Sequence, residues 1–154
     1  MSNSEFYYDL DEDIISYINN IENEFGFAIN LKYIFQANTK QKTMIKIIKL
    51  PDHYQHLLKA DILVSINELY YNSFDEDIRE ILMMQELDKI EINLVKGTIK
   101  IGQPSLKTSL GIVKRFTYEK VEKAIEVEKL FEEQQKEKEK EQQSQNKDKK
   151  NKYK

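Results

Sequence analysis

Beyond Phe131 the chain has no aliphatic residue and a single aromatic one, Tyr153, so any hydrophobic core must be built from the first 131 residues. A helix without an apolar stripe has no face to bury and gains little from packing. Residues 132–154 are therefore expected as a charged tail, a frayed helix or disordered. Within it, pairs such as Glu132 with Lys136 stand at the spacing that supports an exposed helix. The preceding 1–131 suits one domain with a real core and is short for two.

The same division separates charge. The tail holds eight Lys against six Asp and Glu, whereas the body holds 16 basic against 21 acidic residues. An acidic body with two Arg residues and no basic stripe in its sequence is a poor match for nucleic acid. The nine Tyr and seven Phe are not interleaved with Arg, so Tyr7-Tyr8 and Tyr70-Tyr71 read as core and rim residues rather than base-stacking platforms. Contact with DNA or with an acidic partner, if made, falls to Lys147–Lys154. The absence of Cys removes disulfides, thiolate zinc sites and thiol nucleophiles. No apolar run reaches the roughly 18–20 residues that span a bilayer, so no membrane partner is expected. The start, MSNSEFYYDLDED, is acidic and aromatic where a secretory signal is basic and then apolar. Synthesis in the cytosol is the expectation.

Periodicity divides the body into elements. Asp11, Glu12 and Asp13 place carboxylates at the positive end of a helix dipole; Ile14, Ile18, Ile21 and Phe25 follow at helical spacing, and Gly26 is a stop signal. Ile29, Leu31, Tyr33 and Phe35 alternate as a half-buried strand does. A second strand is expected over Met44–Leu50, ended by Pro51, which cannot donate to a ladder. A third is ADILVSI, with Ile62, Val64 and Ile66 in alternation, and PDHYQHLLKA before it reads as a short helical turn. Ser73 and Glu76 stand at capping-box spacing, predicting a helix from there to about Ile90. EINLV and TIKIG around Lys96-Gly97 carry a hairpin signal. Leu106–Phe116 looks helical, and a last helix starts near Tyr118 with Val121, Ile125, Leu130 and Phe131 toward the body. Such an unequal mixture is that of an α+β domain, a small mixed sheet with a central helix, a hairpin and C-terminal helices.

Strand ADILVSI, helix DEDIREILMMQELDKIE and the hairpin together resemble a phage-encoded metallopeptidase family with a zincin-like frame, over roughly Ala60 to Lys120. The likeness rests on Ala60-Asp61, on the helix end Gln85-Glu86-Leu87-Asp88-Lys89-Ile90, and on the segment after the hairpin. In that family the helix bears His-Glu-x-x-His, and a His-Asp pair follows the hairpin. The Lys/Glu/Gln-rich tail is also similar to those of uncharacterised proteins of the crAss-like phages of gut Bacteroidetes. The resemblance implies a phage protein with protein partners, other virion proteins or host proteins, working in the host cytoplasm or incorporated in the virion.

The departures from the family pattern bear on chemistry. A zincin helix needs His at i and i+4 so that both imidazoles reach one ion, with Glu between them as general base. Those two positions hold Gln85 and Lys89, and Glu86 alone matches. Gln103-Pro104-Ser105 stands in the region of the third ligand. Gln is a poor zinc ligand and a protonated Lys is none. The resemblance thus implies a vestigial Glu86, no catalytic residue, no bound metal and no cofactor. At about 100° per residue, Gln85 and Lys89 share a face with Ile78, Ile81 and Leu82, opposite a stripe of Met83, Leu87 and Ile90. Polar groups on an apolar stripe are costly unless paired. Two readings stay open: a Lys89 ammonium paired with Glu86 or Asp61 near the metal position, or a Lys89 whose stem carries its charge out to water.

The two histidines lie upstream. His53 and His56 could share a helical turn near Asp52 or Asp61, but two ligands make no specific metal site, and they read as surface or partly buried residues. The acidic groups Asp9–Asp13 and Asp75–Asp77 lack the glycine-punctuated spacing of a calcium loop and read as helix N-terminal charge. Gly97 and Gly102 are too isolated for a phosphate loop, and Ser105, Thr108 and Ser109 have no His in local register. The expectation is a non-catalytic structural, assembly or interaction protein on a decayed metallopeptidase-like frame. The alternatives are a metal-dependent hydrolase using Glu86 with His53 or His56, and a nucleic-acid-associated accessory protein acting through its Lys-rich tail.

Overall fold

The computed structural model describes residues 6–27, 30–103 and 106–151. Its elements follow as β1 (Tyr7–Tyr8), α1 (Glu12–Phe25), β2 (Tyr33–Asn38), β3 (Ile45–Lys49), α2 (Asp52–Leu58), β4 (Ile62–Ile66), α3 (Glu68–Ser73), α4 (Glu76–Leu87), β5 (Ile90–Asn93), β6 (Thr98–Ile101), α5 (Leu106–Phe116) and α6 (Tyr118–Asn151). The first four strands form one sheet in the order β1-β2-β4-β3, and β5 and β6 form a separate hairpin. β2 and β4 run parallel, while β1 and β3 are antiparallel to their neighbours. The chain is an α+β protein, as its alternating periods predict.

Register decides which face of the sheet is core. Tyr33, Phe35 and Ala37 of β2 stand opposite Ile62, Val64 and Ile66 of β4, and Ile45 and Ile47 of β3 stand opposite Ile66 and Val64. Side chains alternate along a strand, so these residues share one face. They join Ile14, Ile18 and Ile21 of α1 and Ile78, Ile81, Leu82, Met83 and Leu87 of α4 in a single cluster, closed by Ile112, Phe116 and Ala124. A helix as apolar as α4 over five buried positions is held by this layer rather than by its own propensity. Arg115 ties the layer's rim, donating to Glu24 at 2.9 Å and to Glu80 at 2.6 Å.

Local signals place α1 well: the Asp11 side chain accepts from the Asp13 N–H, and Gly26 closes the helix at φ +62°, where a side chain is strained. Several other expectations shift. Ile29, the start of the expected first alternation, lies outside the described residues, Leu31 is buried ahead of the strand, and β2 begins at Tyr33. Ser73 is not an N-cap. It ends α3, a helix the periodicity did not show, and its hydroxyl donates to the Leu69 carbonyl at 2.6 Å. The cap of α4 is Asp75, with no side-chain hydrogen bond, and α4 stops at Leu87 because Ile90 pairs into the hairpin.

Along α6, Phe131 packs edge-on against Tyr70 and Phe74, and Ala124 is fully buried. Ile125 and Leu130, expected to face the body, are 38% and 55% exposed, because the inward stripe runs through Val121, Ala124 and Phe131 instead. The tail continues α6 as helix to Asn151, with Glu132 and Lys136 paired at 2.9 Å.

Candidate functional site: a cleft at the end of the central helix

A cleft of about 1030 Å³ opens along β3, one of the two edge strands of the sheet. Its floor is the sheet face turned away from the helices, where Gln36, Lys46, Ile48, Leu63 and Ser65 alternate with the core residues. One wall is the β2–β3 loop, Lys40 to Thr43. The other holds Glu86, Lys89 and Ile101 to Gln103.

Backbone geometry carries Lys89 to this wall. The helix ends in a right-handed Asp88 cap, the Lys89 N–H donates to the Glu86 carbonyl at 3.1 Å, and the Lys89 carbonyl accepts from the Gly102 N–H at 2.7 Å. Lys89 is thus pinned between the end of α4 and the exit of β6. Its ammonium donates to Oε1 of Glu86, the two side chains being 28% and 18% exposed. Both are part-buried, so water screens the pair only partly.

A third charge completes the cluster. Glu128 on α6 accepts from the Met44 N–H at 2.9 Å, tying the last helix to the entry of β3. Burial pushes its carboxyl above the usual range; the Met44 hydrogen bond and the Lys89 charge pull it down, while the Glu86 charge raises it further. Glu86, Lys89 and Glu128 therefore form an acid–base–acid group joining α4, α6 and β3. Glu128 was not among the residues singled out from the sequence. A signal was present: Val121, Ala124, Glu128 and Phe131 recur at three-, four- and three-residue spacing, placing a carboxylate on the inward stripe.

The remaining singled-out residues lie apart. Gln85 is part-buried but does not line the cleft. Asp61 stands before β4, where its carboxylate accepts from the Lys32 N–H at 3.0 Å and its carbonyl from the Leu50 N–H at 3.0 Å, stitching β2 to β3. His53 and His56 are exposed on α2, with the His53 ring 4.2 Å from that of Tyr54. Gln103 reaches the cleft, and Pro104 and Ser105 lie outside the described residues. Among the described residues no three His, Cys, Asp or Glu side chains gather as ligands for an ion. None of their helices is long and apolar enough to cross a membrane.

A family model described as putative phage metallopeptidase matches residues 1–135. Among curated proteins and among solved structures nothing matches. A metallopeptidase implies a catalytic metal, and the donor set here does not fit one. The position that would carry the second imidazole carries an ammonium, and that ammonium occupies the one retained carboxylate, Glu86.

Proposed function

The chain belongs to the phage metallopeptidase family over residues 1–135, and from that premise we propose that it works without catalysis, as a structural, assembly or host-interaction protein of a phage. The observation that carries this reading is the Glu86–Lys89 ion pair. A general base must be free to take a proton from water, and a metal ligand must offer a lone pair. Glu86 is instead neutralised by a neighbour that can do neither. Retention of the frame with loss of the ligands fits a fold kept for its surfaces, and proteins are the partners such surfaces meet.

Metal content tests the reading. Protein purified without chelators and measured by plasma mass spectrometry is expected to hold far less than one zinc per chain, with no peptidase activity after zinc is added. Stoichiometric zinc that is lost on Glu86→Gln or His53→Ala overturns it in favour of a hydrolase with unusual ligands. Mass spectrometry of purified virions then separates a packaged component from an assembly or host-directed factor.

A further inference from the structure

The outer face of the sheet carries a chemistry that the ion pair leaves unexplained. Ile34, Leu63 and Ile48 stand in one cross-strand row, part-exposed and outside the core cluster. Two residues further along the strands, roughly 7 Å at the rise of a strand, the row is Gln36, Ser65 and Lys46. Lys40 and Lys42 stand at the loop rim above it. Lys40, Lys42, Lys46 and Lys89 thus line a cleft in which Glu86 is the one lining acid, bound to Lys89 with Glu128 beside the pair, and Lys40 lies 3.6 Å over the Phe6 ring, on a chain of net charge −3. Folding concentrates positive charge that the linear sequence dilutes in an acidic body. Lys46 is exposed and makes no ion pair among the described residues. Lys42 reaches Glu139 at 3.8 Å, both side chains being largely exposed.

We propose that this face docks an extended, acidic segment of a partner protein, with an apolar side chain on the Ile34–Leu63–Ile48 row and carboxylates on Lys46 and the loop lysines. The charge of the cleft selects an acidic occupant, and the apolar row that runs out of it from Ile48 and Leu63 to Ile34 selects a polypeptide over a nucleic acid. A nucleic acid backbone would lie on uncharged aliphatic groups, with Tyr7 as the one aromatic lining the cleft and no Arg beside it. Carboxylates placed beside the apolar row are partly shielded from water, which strengthens their attraction to the lysines. This deepens the non-catalytic reading by naming the chemistry of a partner. Zinc content decides that reading and peptide binding decides this one, so either can fail alone.

The test selects 12-residue peptides from a random library on the immobilised full chain and measures the selected peptides by fluorescence polarisation. Enriched peptides are expected to carry Asp or Glu flanking an apolar residue. Replacing their acids by amides, or introducing Lys46→Glu, is expected to weaken binding about tenfold or more, whereas Lys114→Glu on α5 leaves it unchanged. Lys46 is exposed, so the charge reversal is compatible with the fold, and Lys46→Gln serves as the milder variant. Enrichment of uncharged or basic peptides, no enrichment, or equal binding by Lys46→Glu overturns the proposal. So does tighter binding of a labelled oligonucleotide at the same face, or self-association of the chain that Lys46→Glu abolishes.

Discussion

Lys89→Met removes the charge at the end of α4 while keeping most of the stem's apolar volume, so its effect reports the ion pair rather than packing. Fully exposed pairs contribute about 0.2–1 kcal/mol, and cutting one partner of a fully buried pair costs about 3–5 kcal/mol. With Lys89 at 28% and Glu86 at 18% exposure, the expected loss lies between, about 1–2 kcal/mol at pH 7. For a chain of this size that corresponds to a fall in Tm of roughly 3–6 °C. The loss has a pH signature through Glu128, whose carboxyl burial already raises and Lys89 helps to hold down. Without Lys89 it rises further. A carboxyl raised on folding contributes stability when protonated and loses it as pH climbs through the folded-state pKa. The Lys89→Met deficit therefore grows as pH rises and shrinks as pH falls toward 4.5, the ordinary glutamate value. Urea unfolding followed by circular dichroism from pH 4.5 to 8, on Lys89→Met, Glu86→Gln and the double variant, gives the coupling directly. The double variant is expected to lose less than the sum of the singles, by about 1 kcal/mol. An unchanged or higher stability of Lys89→Met at pH 7 refutes the reasoning, since the pair would then contribute nothing to the fold.

Two further outcomes follow from the same packing. Glu128→Gln keeps an oxygen acceptor for the Met44 N–H and removes the penalty of a part-buried charge, so its stability at pH 7 should equal or exceed the parent's and depend less on pH; Glu128→Ala orphans that N–H and should cost about 1–3 kcal/mol, both read by urea unfolding. Phe131→Ala, which deletes two edge-on aromatic contacts, should cost roughly 2–4 kcal/mol, while Leu130→Ala, at a 55% exposed position one residue away, should stay within about 0.5 kcal/mol by thermal denaturation.

Elements whose signals are local were legible before the structure. α1 announces its start at Asp11 and its stop at Gly26, and the alternation of Ile62, Val64 and Ile66 becomes the most deeply buried strand of the sheet. What was missed depends on pairing across the chain. β1 is two exposed tyrosines that become a strand only because Tyr7 and Tyr8 meet Asn38 and Ala37. Ser73 has capping-box spacing with Glu76, but α3, set by the Asn67 cap, takes its hydroxyl first. Leu130 and Phe131 are neighbours in sequence, and the pitch of the helix puts one in water and the other in an aromatic cluster. The cleft lysines Lys46 and Lys89 are separated along the chain by α2, β4, α3 and α4, so charge counted along the chain could not show them as one surface.

The same distinction bears on the central helix. Gln85 and Lys89 could be read from sequence as substitutes for two ligands, but not the physical consequence of the second substitution. Glu86 and Glu128 approach each other from different helices, and each contributes negative charge to a part-buried wall. Two carboxylates in such a setting need a compensating cation, and burial raises the cost of leaving them without one. Lys89 supplies that cation from the chain itself. Lys89 thus balances, from within the chain, a wall that two carboxylates would otherwise leave negatively charged.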